Sequence, residues 1–374
     1  MTLLVSDESD TVEPLIDYHL DRGVDFLVVT ANRASEEVLE KVGGYVAAGA
    51  ARVIREDSTV YAQSEWVTRM ARLAADVHGA DWVINGDADE FYWPEAGTLK
   101  EILAAVPPDY GVLEVPFFHF LPRLEADGSF LEEMTVREVR SLKPSGKAVF
   151  TKAVHRAASD AEVSMGNHRV GGTGLEVLPG WHPIAGLHFP HRGYTQFERR
   201  VARDTRGERY AGSAERFGPR FELYRTGRLR EAYEQEVSDE REVTQGVLEG
   251  RLVRDERLKR YFAERGRNGS RPPEGCDPDV VAALRLAARR AVVEWEHHPL
   301  HFEAVDLSER LHRARQGRRS ARREIEEVEC RLSELKSEMR ALRSSRTYRI
   351  GARLAAVRQL VRRARERVGA VRGS

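Results

Sequence analysis

Ala80-Asp81-Trp82-Val83-Ile84-Asn85-Gly86-Asp87-Ala88-Asp89-Glu90-Phe91 is the stretch on which the reading of this chain turns. Trp82-Val83-Ile84 is a short apolar run of strand character, it leads into the carboxylates Asp87, Asp89 and Glu90, and the apolar Phe91-Tyr92-Trp93 follows at once. Acids clustered between buried-looking flanks are expensive to keep charged, so the pattern implies a compensating cation. Asp87 and Asp89, two apart, can converge on one divalent ion where the chain turns out of its strand. The small Ala88 between them leaves the backbone open to approach.

Outward from that stretch, residues 1–115 alternate short apolar runs with amphipathic segments, the pattern of an open α/β sheet. Strands are expected at 3–5, 26–30, 51–55 and 82–85, and helices at 11–22, 35–48 and 61–78. The third helix carries Trp66, Met70, Leu73 and Val77 on one stripe, of which Trp66, Met70 and Leu73 read as core. The acidic cluster therefore falls where a central strand ends, the place where open α/β sheets bind their ligands. Short β-like runs at 112–115, 134–139, 148–152 and 187–189 read as the second half of a mixed sheet, and residues 194–305 read as charged and helical.

On these residues the chain resembles the GT-A-fold, family-2-like bacterial glycosyltransferases, whose signature runs roughly D-W-(I/V)-x-x-x-D-x-D-E-F. Val5-Ser6-Asp7-Glu8-Ser9-Asp10 with Leu15-Ile16-Asp17-Tyr18-His19-Leu20 is similar to that family's opening strand and helix, and Val28-Val29-Thr30-Ala31-Asn32 to its second strand and turn. Gly166-Asn167-His168, His188-Phe189-Pro190-His191-Arg192 and Gln196-Phe197 follow in the family's order, so the resemblance spans roughly residues 3–203.

The resemblance implies a GT-A (Rossmann-like) mixed sheet flanked by helices, a UDP-, GDP- or dTDP-sugar donor, and a saccharide or lipid-linked acceptor in cell-surface polysaccharide or glycolipid synthesis. It also implies Mg2+ or Mn2+ and inversion at the anomeric carbon. Asp7, Glu8 and Asn32 would then lie by the nucleoside, Asp87 by the ribose or metal, and Asp89 on the metal. His188 or His191 would complete the metal shell. Lys147 and Arg192 are expected diphosphate contacts, because cations can offset the leaving group's charge. An inverting transfer also needs a general base, for which Glu90, His168 and His188 all qualify. Two rivals stand beside this reading: a nucleotidyl- or phosphotransferase, since clustered acids and Mg2+ serve those reactions too, and a degenerate catalytic domain acting as a coiled-coil scaffold.

The formal net charge of -1 conceals an asymmetry, because residues 306–374 carry 20 Lys+Arg against 9 Asp+Glu. That leaves the rest of the chain acidic and predicts an anionic partner for the tail. Leu307, Leu311, Ala314, Ile325, Val328, Leu332, Leu335, Met339 and Leu342 form a heptad-like seam, which predicts a coiled coil and a homo-oligomer. Beyond it, Ile350, Leu354, Val357, Val361 and Val368 recur among arginines, as in helices that lie on anionic membranes. The tail lacks the aromatic interleaving of single-strand binders, so no nucleic acid is expected. Four segments result: a GT-A domain at 1–205, a helical extension at 206–305, a coiled coil at 306–345 and a basic amphipathic tail at 346–374.

Two cysteines without zinc-site neighbours argue for a reducing compartment. With neither a membrane-spanning apolar stretch nor a signal sequence, the expected location is the cytoplasm, at the inner face of the membrane if the tail binds there.

Overall fold

A computed structural model of the chain describes residues 1–58, 60–122, 124, 129–139, 151–205, 214–269, 273, 275–296 and 331–338. Its elements are β1 (Thr2–Val5), α1 (Val12–Asp21), β2 (Leu27–Asn32), α2 (Glu36–Ala47), β3 (Ala51–Glu56), α3 (Gln63–Asp76), β4 (Trp82–Asp87), β5 (Glu90–Pro94), α4 (Leu99–Ala105) and β6 (Val112–His119). Next come α5 (Phe130–Glu133), β7 (Val136–Glu138), β8 (Thr151–Arg156), β9 (Glu162–Val163), β10 (Val170–Gly171) and β11 (Ile184–His188). The remaining elements are α6 (Tyr194–Thr205), α7 (Ala214–Arg225), α8 (Leu229–Glu234), α9 (Glu240–Leu248), β12 (Leu252–Arg254), α10 (Arg257–Asn268) and α11 (Pro278–Glu296).

The main sheet has eight strands in the order β3-β2-β1-β4-β8-β6-β11-β5, flanked by helices, so the expected mixed α/β class is what the chain forms. β2, β1 and β4 run parallel, as do β6 and β11, while β8 and β5 run against their neighbours. β2 is buried along its whole length, as a parallel strand covered on both faces must be. The core joins Leu3, Val29, Ile84, Phe91, Phe117 and Leu187 of the sheet to Leu15 and Ile16 of α1, and Leu258, Leu284 and Ala288 of α10 and α11 belong to the same cluster.

One strand boundary differs from its expected position. β4 runs on through Asp87 rather than ending at Asn85, because Asp87 pairs in register with Leu4. The apolar flank Phe91-Tyr92-Trp93 lies within a strand of its own, β5, with Phe91 and Tyr92 buried.

The strand order explains where the chemistry collects. Only Ala88 and Asp89 separate β4 from β5 along the chain, yet β8, β6 and β11 stand between them in the sheet. The sheet must therefore curl until the end of β4 meets the start of β5, and the Tyr92 hydroxyl closes the gap by donating to the Asn85 carbonyl (2.6 Å). Strand polarity then sets the carboxyl ends of β1, β2, β4, β6 and β11, together with the starts of β8 and β5, along one edge.

Of the expected coiled coil, only residues 331–338 are described; they are helical, with Leu332 and Leu335 of the seam buried. The basic tail and Lys147 lie outside the described residues. Among the described residues, no helix is long and apolar enough to cross a membrane.

Candidate functional site

Asp87 is the last residue of β4, and its two oxygens are already engaged. Oδ2 accepts from Lys152 Nζ (2.6 Å) and Oδ1 from Gln63 Nε2 (2.9 Å), with Asn167 Nδ2 at 3.5 Å. Lys152 sits at the start of β8 and is buried, and its ammonium also contacts Glu90 Oε1. Glu90 Oε2 in turn accepts from the Asp87 backbone N–H (3.2 Å). One lysine thus serves two acids in an apolar setting, with the Phe117 ring 5.4 Å from its ammonium.

The electrostatics follow from that arrangement. Burial alone would strip Lys152 of its proton, but Asp87 and Glu90 outweigh it and hold the ammonium charged above its ordinary range. Burial is also the largest influence on Glu90 and pushes its carboxyl well above the usual carboxylate range; Lys152 opposes the rise, and the charges of Asp87 and Asp89 add to it.

Asp89 faces a different set of partners across the turn. Its Oδ1 lies 3.5 Å from His188 Nε2 at the end of β11, and its Oδ2 lies 3.3 Å from Arg200 Nη1 on α6. Burial pushes the Asp89 carboxyl up, but His188, Arg200 and Arg192 together outweigh burial and hold it well below the usual range. Asp89 therefore stays a carboxylate. His188 Nδ1 stands 2.8 Å from Nδ1 of His119, at the end of β6, and burial followed by the charge of His188 drives His119 down to about 3.

Asp89, Glu90 and His188 offer one ligand atom each within 4.8 Å of one another. Two carboxylates and an imidazole are a donor set that suits Mn2+ or a similar divalent ion. His188 also has its other ring nitrogen engaged, as metal-bound histidines do. The residues present therefore fit a divalent cation, centred on Asp89 and His188, with Asp87 held apart by Lys152.

The other expected site residues fall as follows. Asn32 ends β2 and is buried, its amide donating to the carbonyls of Glu56 and Ser58 (3.2 Å each). Glu8, just past β1, accepts from the Ser6 N–H (2.6 Å), and the exposed Asp7 lies beside it. The β1–β4 boundary is where the strand order reverses direction, so the loop after β1 that carries Asp7 and Glu8 starts beside the end of β4 that carries Asp87. Arg192 is buried and forms a bidentate pair with Asp10 (2.5 and 2.9 Å) while donating to the Phe189 carbonyl (3.1 Å). This ties the loop after β1 to the loop after β11. His191 contacts Glu236 (3.2 Å), outside the Asp89 group.

His168 lies on a loop that reaches back to Asp87. Gly166 N–H donates to Gln63 Oε1 (3.1 Å), and Gly166 and Asn167 both have left-handed backbones, at φ 73° and 59°. His168 Nδ1 lies 2.8 Å from the Thr151 carbonyl. A carbonyl only accepts, so Nδ1 carries the proton and Nε2 is the basic atom of the neutral ring.

Lys152, His119, Arg200 and Gln63 are site residues that sequence reasoning did not single out. Lys152 ends the short β-like run 148–152, and nothing within that run sets it apart from an ordinary strand residue.

No protein-family model matches the chain, and no curated protein matches it. Among solved structures it is similar to S. aureus TarS 1–349 in complex with UDP-GlcNAc, at 13% identity over 74% of this chain and 99% of that one, with a TM-score of 0.33. That likeness is too weak to carry an argument about fold or ligand.

Proposed function

We propose that this chain is a GT-A-type glycosyltransferase that moves a sugar from a nucleoside-diphosphate donor to a hydroxyl acceptor with inversion. The observation that carries the reading is the convergence of Asp89, His188 and Arg200 beside Asp87, at the edge where β1, β2, β4 and β11 end. Such an edge offers a nucleoside site past β1 and β2, lined by Asp7, Glu8 and Asn32, next to a charged centre for the diphosphate.

Negative charge builds on the bridging oxygen as the diphosphate leaves, and a preorganised site must meet it. Mg2+ or Mn2+ held by Asp89 and His188, with Glu90 alongside, would supply positive charge there. Arg200 adds a second source from α6. Its side chain is 40% exposed, and a guanidinium that pairs with Asp89 can also meet diphosphate oxygens. Lys152, at 2% exposure, and Arg192, committed to Asp10, act as struts that hold the acids and the loops in place.

For the acceptor's proton, Glu90 is already committed: Lys152 and the Asp87 amide each bond one of its oxygens, and its remaining lone pairs are counted among the cation's donors. His168 is therefore the proposed base, with Nε2 as the accepting atom. The two-ion chemistry of a phosphoryl or nucleotidyl transfer is disfavoured, because Lys152 already fills the place between Asp87 and Glu90 that a second cation would need. Residues 346–374 are proposed to bring the enzyme to anionic membrane, beside a lipid-linked acceptor.

The test is a thermal-shift panel of UDP, GDP and dTDP with and without Mn2+, on the wild-type chain and Asp89→Ala. One nucleoside diphosphate should stabilise the wild type in Mn2+ and lose its effect in the variant. Stabilisation by none of them, or stabilisation that survives the substitution, overturns the reading.

A further inference from the structure

β6 and β11 are parallel neighbours with His119 and His188 in direct register, so both imidazoles leave the same face of the sheet at its ligand edge. Their rings stand 4.9 Å apart between centroids, and the two Nδ1 atoms lie 2.8 Å apart. At that distance one ring donates and the other accepts. His188 Nε2 points at Asp89 Oδ1, 3.5 Å away.

These facts decide the direction of the bond if His188 is to hold a cation. A neutral imidazole has one N–H, and a metal-bound nitrogen must present a lone pair. With Nε2 turned to the ion, the single proton sits on Nδ1 and His119 must accept it. Were His119 the donor, the proton of a neutral His188 would move to Nε2 and close the ligand site. We infer that His119 is a positioning residue: through its Nδ1 it fixes His188 in the Nδ1–H tautomer and so aims Nε2 beside Asp89 for a divalent cation. This rests on the reading of Asp89 and His188 as cation ligands. The fold itself supplies the device, because the register of two adjacent strands, and no local motif, brings the histidines together.

Three variants of the full chain test it: His119→Asn, whose side-chain oxygen falls near the position of Nδ1; His119→Phe, which keeps ring volume and strand preference without an acceptor; and Asp89→Ala. The first readout needs no metal. In 15N-histidine NMR of the wild type, neutral His188 should carry its proton on Nδ1, retain it in His119→Asn and become a tautomer mixture in His119→Phe. The second readout is Mn2+ alone, titrated by electron paramagnetic resonance. His119→Phe should bind about 10- to 100-fold more weakly than wild type, the range for losing a metal ligand's hydrogen-bond partner, while His119→Asn stays within a few-fold. A wild-type His188 protonated on Nε2, or a His119→Phe variant with unchanged Mn2+ affinity, overturns the inference. Wild type and Asp89→Ala binding Mn2+ equally would instead overturn the cation reading, and the tautomer measurement would still decide the role of His119. If His119→Phe does not fold, the wild-type spectrum alone retains the power to refute.

Discussion

Lys152 Nζ lies 2.6 Å from Asp87 Oδ2 and also contacts Glu90 Oε1, so a single buried ammonium from β8 neutralises two acids on either side of the β4–β5 turn. Removing one member of a buried ionic set leaves uncompensated charge in an apolar place. Lys152→Met is expected to cost about 3–5 kcal/mol of stability. Adding Glu90→Gln should return part of that loss, because the two side chains share one interaction. Urea unfolding of the single and double variants checks both statements. A Lys152→Met variant as stable as wild type would mean that the acids are neutral without the lysine.

Arg200 reaches Asp89 from α6 and keeps an exposed flank. Arg200→Ala is expected to weaken nucleoside-diphosphate binding in Mn2+ by about tenfold or more, with Arg200→Lys falling between it and wild type, since lysine keeps the charge but not the planar fork. Calorimetric titration gives the affinities. Equal affinities in all three proteins would remove Arg200 from the diphosphate site.

His168 is expected to act on the acceptor and leave the donor alone. His168→Asn should lower transfer by about 10²–10⁴-fold, the range for losing a general base, with nucleoside-diphosphate affinity unchanged. Steady-state rates and binding measured on the same preparation separate the two effects. Full transfer activity in the variant would rule His168 out as the base.

The pair of cations around Asp255 gives a pH dependence remote from the site. Asp255 is buried between Arg137 (2.6 Å) and Arg257 (2.7 Å), linking β7 to the start of α10. Burial would raise its pKa, but Arg257 and Arg137 outweigh burial and hold it at about 2. The folded value lies below the unfolded one, so this stabilisation is fully present above about pH 4 and is lost as pH falls from about 4 towards 2. Asp255→Asn should be less stable than wild type by about 2–3 kcal/mol at pH 6, with the gap closing through that acid window. Denaturant melts at several pH values would show a constant gap if the pairing were immaterial.

The basic tail is expected to bind vesicles containing anionic lipid, by charge and by its apolar stripe. In a flotation assay the full chain should rise with such vesicles, and a chain truncated after residue 345 should remain at the bottom. Identical behaviour of the two chains would separate the tail from any membrane role.

The sequence by itself determined the alternation of strands and helices from β1 to β4 and the placing of Asp87 and Asp89 at a strand end. Both are written in local periodicity: apolar runs, amphipathic stripes and the polar residues that stop them.

Tertiary structure alone decided what the acids face. Asp87 and Lys152 are 65 residues apart, and Arg192 and Asp10 are separated by 182. Nothing in the periodicity of either segment states the strand order that joins them. β5 follows β4 after two residues yet pairs at the far edge of the sheet, and only that arrangement curls Lys152, His119 and His188 around the turn. Strand pairing is settled by how the whole set of apolar faces can be buried at once, a global condition, whereas the strands themselves are settled by their own few residues.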